Sequence, residues 1–225
     1  MPIHDWARID PCYFHSFHLA WVVRLSQAMN EVLPPDHYAM VAEALPRVNR
    51  ELEEMQQPGY KQRTVTVRHT SDDRTVALVE MLSPGTKDWV ESLRQFVGKS
   101  VGAIRLGIHV VIVDLFPPGQ HDPAGVSSLV WKEVHPTPTQ QTREEKPVVL
   151  ASFAVGDTTD LYIKSLSVGD SMEDMPLFLT GDEYVMLPLR STYESAYDAM
   201  PTIVQNIIEG RRNAGSNEHL PPGAP

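Results

Sequence analysis

Large apolar residues recur every three or four positions near the start of the chain, with polar residues between them. The recurring positions are Phe14, Phe17, His18, Trp21, Val22, Leu25 and Met29. This spacing predicts an amphipathic helix that turns one face toward a core. Asp10-Pro11 provides a start signal for the helix, and Leu33-Pro34-Pro35 stops it.

Residues 41–62 give no clear pattern, but the segment after them predicts a β-hairpin. Residues 64–67 and 75–82 are rich in β-branched and apolar residues, and a polar turn at 71–73 lies between them. Ser83-Pro84-Gly85 ends the second strand.

A helix and a buried strand are predicted after the hairpin. Residues 88–106 carry apolar residues at helical spacing, and Gly107 is suited to the C-terminal cap. Residues 108–116 are almost continuously apolar, which is typical of a strand buried on both faces. Because a crossover helix joins it to the hairpin, this strand is expected to run parallel to its neighbour. The chain therefore predicts an α/β fold with a mixed central β-sheet flanked by helices.

The C-terminal part predicts further strands and helices. Residues 126–131 form a short amphipathic segment, and Pro201 is expected to kink or split a helix over 192–208. Strands are expected at 148–155 and 161–166 and, from a weaker pattern, at 184–187.

The expected organisation is a single α/β domain over residues 1–209. Its parts are an N-terminal helical segment, a central core, and C-terminal strands with a helix, at 1–40, 63–119 and 148–209. The proline-rich residues 135–147 are expected to be an exposed linker, and residues 210–225 a disordered tail.

Composition narrows the classes of partner. Hydrophobic residues make up 42% of the chain, which favours a packed interior. The net charge is -10, with 29 acidic against 19 basic residues, and this disfavours general nucleic-acid binding. No stretch reaches the roughly 20 apolar residues that a membrane helix needs, and residues 1–10 do not resemble a signal peptide. A cytoplasmic protein is expected; its partner is unknown, and a homo-oligomer is left open.

Cysteine and histidine residues offer few candidate sites. Cys12 is the single cysteine, so no disulfide within one chain is expected. His15 and His18 are three residues apart, a spacing able to chelate Zn²⁺, but a core role for this helix face is favoured. His109 is expected to be a hydrogen-bonded core residue. The sequence has no glycine-rich phosphate loop, Gly-x-Ser-x-Gly elbow or Cys-x-x-Cys pair.

Short motifs are spaced along most of the chain. They are residues 4–10, 14–18 with Trp21, 33–38, 79–85 with Lys87, 96–99, 107–109, 113–119, 174–179, and 188–189 with 192–193. Through these blocks, which run from about residue 3 to residue 200, the chain resembles the bacterial family known as domain of unknown function 4058. That family has no established activity that the resemblance could bring to this chain.

The central block also resembles the Uma-type branch of the PD-(D/E)xK nuclease-like proteins. In both, a strand ends in Glu-x-x-Ser-Pro, a helix with a lysine follows, and a buried strand ends in Asp. The resemblance implies a restriction-endonuclease-like core of the αβββαβ type, to which the C-terminal strands and helix are added. It is a likeness of fold, which does not by itself carry function.

A nuclease site of this type would use Glu80 and Asp114 as Mg²⁺ ligands, with Lys99, or less favourably Lys87, near the attacking water. Leu82 stands where the motif would have its lysine. The strand at 64–69 has no acid, and the family's Pro-Asp strand is shortened or missing around residues 38–44. The predicted metal site is therefore short of one ligand, and Glu43 remains a candidate for it.

Three functions follow from these residues. In the first, which is favoured, Glu80 forms a structural ion pair with Lys99 or Arg68, Asp114 caps the Pro-Pro-Gly turn, and the protein is a non-catalytic binding or assembly module without a cofactor. In the second, Glu80, Lys99 and Asp114 are catalytic residues of a Mg²⁺-dependent phosphodiesterase or nuclease. In the third, the aromatic helix and the proline-rich loops bind a small molecule or peptide.

Overall fold

A computed structural model of the chain describes residues 1–42, 63–135 and 146–211. Glu43, most of the expected linker (136–145) and most of the expected tail (212–225) lie outside these residues. Within the described residues, no helix has the length and apolar character needed to cross a bilayer.

The N-terminal helix α1, Pro11–Val32, follows the predicted pattern. The Asp10 side chain accepts a hydrogen bond from the backbone N–H of Cys12, and Pro11 is the first helical residue. These are the features that favour a helix start. The stripe predicted from the sequence is buried along the helix. A short 3-10 helix, Trp6–Arg8, precedes α1 and packs Trp6 against the same core.

Six strands form the central sheet in the order in which they occur along the chain. They are β1 His37–Ala42, β2 Thr64–His69, β3 Thr75–Met81, β4 His109–Asp114, β5 Val148–Val155 and β6 Thr159–Leu166. Strands β3 and β4 are parallel, and every other neighbouring pair is antiparallel. The prediction of an α/β fold with a mixed central sheet is confirmed.

The crossover between β3 and β4 contains two helices instead of the single predicted one. Helix α2 spans Pro84–Asp88 and helix α3 spans Val90–Arg105. Trp89, between them, has extended backbone angles, so the helix expected over 88–106 starts at Val90 and is preceded by a separate turn. Gly107 has a φ of 82°, the left-handed conformation that glycine adopts readily after a helix.

Strand β1 was missed by the sequence prediction, which treated 1–40 as helical and found the strand near 38–44 shortened or missing. It is a six-residue edge strand paired with β2. Ala39 is its one buried residue, Met40 is exposed and the other four are partly buried, so the strand has no strong apolar alternation. Its sequence, HYAMVA, contains no acid.

The remaining elements complete two layers around the sheet. Helix α4, Val126–Val134, lies with α3 on one face, while α1 and α5, Leu189–Asp198, lie on the other. Strands β7, Met175–Phe178, and β8, Tyr184–Leu187, form a small antiparallel sheet. Helix α6, Thr202–Ile208, is separated from α5 near Pro201, as predicted, although α5 begins three residues earlier than expected.

Candidate functional site

Glu80 lies in the middle of the sheet on β3 and is fully buried. Its neighbours two residues away, Leu78 and Leu82, belong to the apolar cluster beneath α3 and α4. Because side chains alternate along a strand, Glu80 points to this same face. The carboxylate therefore enters a packed layer, where it needs polar partners.

Lys99 and Thr64 supply those partners. Lys99 Nζ lies 2.6 Å from Glu80 Oε1, and the Thr64 hydroxyl lies 3.0 Å from Oε1 and 3.1 Å from Oε2. Lys99 also donates to Thr64 Oγ1 over 2.8 Å. The hydroxyl thus accepts from the lysine and donates to the carboxylate, which closes a cluster of three side chains. Only the lysine reaches water, with 15% of its side chain exposed.

Arg68, the other cation considered for Glu80, pairs elsewhere. Its Nη1 donates to Asp73 Oδ2 over 2.8 Å at the hairpin turn. The choice that the sequence left open is therefore resolved in favour of Lys99.

Asp114 lies at the end of β4 and has a different lysine as its partner. Lys87 Nζ donates to Asp114 Oδ2 over 2.9 Å and to the Phe116 carbonyl over 3.1 Å. The other oxygen, Oδ1, accepts from the Phe116 N–H at 3.1 Å, so Asp114 caps the turn as expected. Asp114 and Glu80 thus lie on adjacent parallel strands, but each is bonded to its own lysine.

A second carboxylate, Asp122, faces the same lysine. Asp122 Oδ2 lies 3.0 Å from Lys87 Nζ, as an ion pair without hydrogen-bond geometry. Its Oδ1 accepts from the Gly119 N–H at 2.7 Å. All three charged side chains are buried. Burial raises the pKa of Asp114 to about 6, an increase that Lys87 opposes and Asp122 reinforces.

A cleft of about 490 Å³ opens beside this cluster, and Lys87 lines it. Its apolar walls come from the first 3-10 helix, the start of α2 and the loop after β4: Trp6, Ile9, Pro84, Phe116, Pro117 and Pro118. Asp88, Gln120 and His121 add polar groups. This volume lies within the range of about 300–1,000 Å³ that is typical of small-molecule sites.

The histidines named from the sequence lie in different environments. His15 is exposed whereas His18 is buried, and burial lowers the pKa of His18 to about 4. His109 has the core role expected of it, because its Nδ1 accepts the Val155 N–H at 2.9 Å.

One group of three possible metal ligands is found in residues 1–42, 63–135 and 146–211. It consists of Asp36, His37 and His69, whose ligand atoms lie within 4.8 Å of one another. It contains neither Glu80 nor Asp114. The sequence prediction missed this group because His69 lies far along the chain from Asp36 and His37. It missed Asp122 because an aspartate in a loop has no distinguishing sequence pattern.

Comparisons with protein-family models, with curated proteins and with solved structures find no match to this chain. The resemblances described above therefore stay predictions.

Proposed function

We propose that this protein is a non-catalytic binding module in which the acids of a nuclease-like core have structural roles. The observation that carries the proposal is the burial and pairing of both candidate metal ligands. Glu80 is held by Lys99 and Thr64, and Asp114 by Lys87 and a backbone N–H. A Mg²⁺ ion prefers several oxygen ligands together with water. Two carboxylates that are buried and bonded to different lysines do not offer it that environment.

The ligand of this module is a small organic molecule with an aromatic or aliphatic part, bound in the cleft beside Lys87. Six of the lining residues are proline, tryptophan or phenylalanine, and a few polar groups lie among them. Such a combination favours an apolar ligand whose orientation is fixed by a small number of hydrogen bonds.

The binding proposal is tested by screening a library of small aromatic and aliphatic compounds by ligand-observed NMR. Ala7 is exposed and lines the cleft, so Ala7→Phe fills part of the cleft without disturbing the core. Ala199, exposed after α5, provides the matched control Ala199→Phe. We expect compounds that bind wild type and Ala199→Phe but lose at least about tenfold in affinity for Ala7→Phe, equivalent to about 1.4 kcal/mol. Equal binding to all three proteins contradicts the proposed site.

A Mg²⁺-dependent phosphodiesterase is the second candidate function. The observation that favours it is the meeting of two carboxylates, Asp114 and Asp122, with one lysine beside an open cleft. In this alternative Lys87 has the catalytic role that was predicted first for Lys99, and Glu80 lies outside the reacting groups.

Cleavage assays separate the two functions. Wild type, Glu80→Ala and Asp114→Asn are incubated with single- and double-stranded DNA and RNA in the presence of Mg²⁺ or Mn²⁺. The non-catalytic proposal expects the same background with all three proteins. Metal-dependent cleavage by wild type that Asp114→Asn abolishes would establish the second function instead.

A further inference from the structure

Asp36, His37 and His69 meet at the edge of the sheet, away from the cleft. Asp36 and His37 follow the Pro34-Pro35 turn that ends α1, and His69 is the last residue of β2. His37 and His69 are direct partners in the antiparallel register of β1 and β2. Directly opposed residues point to the same face of a sheet. Their ring centroids are accordingly 4.9 Å apart.

The distances between the polar atoms fit a metal with nitrogen and oxygen ligands. Asp36 Oδ1 lies 2.8 Å from His37 Nδ1, and Asp36 Oδ2 lies 3.4 Å from His69 Nε2. Two ligands bound to tetrahedral Zn²⁺ at about 2.0–2.1 Å are about 3.4 Å apart. Small side-chain movements would therefore bring three ligands around one ion.

The backbone holds both parts of the cluster in place. The His37 N–H donates to the Pro34 carbonyl at 2.9 Å, and the Thr70 N–H donates to the Asp36 carbonyl at 2.8 Å. The second bond ties the turn after α1 directly to the end of the hairpin. A site built on such fixed elements is preorganised for its ligand.

His69 also has an outer partner of the kind found at metal sites. Its Nδ1 lies 2.8 Å from Ser71 Oγ, while Nε2 is the nitrogen that faces Asp36. A metal-bound imidazole commonly donates its other N–H to an oxygen, which fixes the tautomer and the ring orientation. The Ser71 N–H donates to the same Nδ1 at 3.2 Å, so in the metal-free protein Nδ1 is an acceptor and Nε2 carries the proton. Metal binding through Nε2 would move the proton to Nδ1, where Ser71 Oγ can accept it.

The cluster is open on the solvent side. The His37 and His69 side chains are 10% and 21% exposed, whereas that of Asp36 is 56% exposed. An ion bound here has access to water for its remaining coordination position.

We propose that Asp36, His37 and His69 form a binding site for a divalent transition metal, with Zn²⁺ the best match and solvent completing the coordination. Two imidazoles and one carboxylate suit zinc, copper or nickel better than Mg²⁺, which prefers oxygen ligands. The bound ion would join the turn after α1 to the end of the β2–β3 hairpin and so hold edge strand β1 in place. This site shares no residue with the cleft, and its test does not depend on the function proposed above.

The proposal is tested by titrating tag-free, metal-stripped protein with Zn²⁺ in a calorimeter. A parallel titration with Co²⁺ reports ligand geometry through its visible absorption. The variants are His37→Ala, His69→Ala and Asp36→Asn, and the control is His15→Ala, which replaces an exposed histidine on α1. Circular dichroism without metal checks the folding of each variant, and Asp36→Asn changes only an exposed side chain.

We expect wild type and His15→Ala to bind one equivalent of Zn²⁺ and to develop the absorption bands of low-coordinate Co²⁺. Each ligand variant is expected to lose at least about tenfold in affinity, together with the Zn²⁺-dependent rise in its thermal unfolding midpoint. Absence of Zn²⁺ binding by wild type overturns the proposal. Wild-type affinity in folded Asp36→Asn and in a folded His37→Ala/His69→Ala double variant overturns it as well.

Discussion

At the scale of single residues, the buried acids explain why the sequence allows two interpretations, a metal site and a set of ion pairs. Glu80 and Asp114 occupy strand positions where a carboxylate is conspicuous, and each has a lysine within 3 Å. An acid on a strand and a lysine on the neighbouring helix are compatible both with a metal site and with an ion pair. The two arrangements differ in burial and in the direction of the partners, which are properties of the fold.

The Lys99–Glu80 pair is expected to be sensitive to the loss of one partner. Lys99→Met leaves the carboxylate buried without a cation, so we expect a loss of about 3–5 kcal/mol in the free energy of unfolding. The combined variant Lys99→Met/Glu80→Gln should recover part of that loss, because no unpaired charge remains. Urea unfolding of Lys99→Met, Glu80→Gln and the double variant gives the coupling energy between the two side chains. Exposed Lys132 provides the control Lys132→Met, and equal stability of Lys99→Met and this control would contradict the structural role.

Asp114 is expected to make stability depend on pH in the acid range. Its pKa is raised from 3.8 to about 6 in the folded protein, so between these values the folded state binds more protons than the unfolded state. The contribution of Asp114 to the free energy of unfolding therefore increases as the pH falls from about 6 toward 4. We expect wild type to gain stability relative to Asp114→Asn over this range, by up to about 3 kcal/mol.

The comparison with Asp114→Asn is needed because other groups act in the opposite direction. Burial lowers the pKa of His18 and His109 to about 4, so both histidines reduce stability as the pH falls below 6.5. Urea unfolding of wild type and Asp114→Asn at several pH values between 4 and 7 isolates the contribution of Asp114 to the pH dependence of stability. A constant difference between them across this range would contradict the assignment.

At the scale of elements, Tyr193 on α5 connects the two ends of the described chain. Its hydroxyl accepts the His4 N–H and the Trp6 indole N–H, both at 3.1 Å, and lies 2.8 Å from His4 Nδ1. Close by, the Trp21 indole donates to Thr192 Oγ1 at 3.0 Å. The aromatic face of α1 is thus a packed core with specific polar links, which accounts for its residues without a ligand.

Tyr193→Phe tests this connection. Removing the hydroxyl leaves two buried N–H donors unsatisfied, and each such donor costs about 1–3 kcal/mol. We therefore expect a destabilisation of about 2–4 kcal/mol, measured by urea unfolding. Tyr184→Phe, at an exposed tyrosine on β8, is the control and should stay within about 0.5 kcal/mol of wild type. Similar stabilities for the two variants would mean that the Tyr193 hydroxyl contributes little to holding the N-terminal segment.

At the scale of the whole molecule, one sheet carries apolar side chains into both layers. Val79, Val111 and Leu150 belong to the cluster beneath α1 and α5, whereas Leu78, Ile112 and Val149 belong to the cluster beneath α3 and α4. Because β3, β4 and β5 contribute to both clusters, the two layers share the central sheet. We expect the described residues to unfold in one cooperative transition, in keeping with the single domain predicted from the sequence.

Tryptophan fluorescence can follow the two layers separately. Trp6 and Trp21 lie in the cluster beneath α1 and α5, and Trp131 packs against the other cluster. A Trp89→Phe/Trp131→Phe variant reports the first layer, and a Trp6→Phe/Trp21→Phe/Trp89→Phe variant reports the second. In each variant we expect the fluorescence and far-UV circular dichroism midpoints in urea to coincide. Separate midpoints within one variant would indicate two folding units.

The sequence by itself determined most of the elements and much of their order, although it predicted neither β1 nor β7. The stripe of α1, the β2–β3 hairpin and the apolar strand β4 follow from local periodicity, and the crossover between β3 and β4 made them parallel. Strand β1 was not predicted because an edge strand that is only partly buried has a weak apolar pattern. The break between α2 and α3 at Trp89 was not predicted because a single extended residue hardly disturbs helical spacing.

Only the tertiary structure decided which charges meet. Lys99 reaches Glu80 from a helix, Lys87 joins Asp114 to Asp122, and His37 lies opposite His69. Each meeting depends on strand register and on how helices dock against the sheet, and these are set by packing among residues far apart in the chain. Periodicity records which face a side chain occupies within its own element. It carries no information about the side chain that arrives from another element.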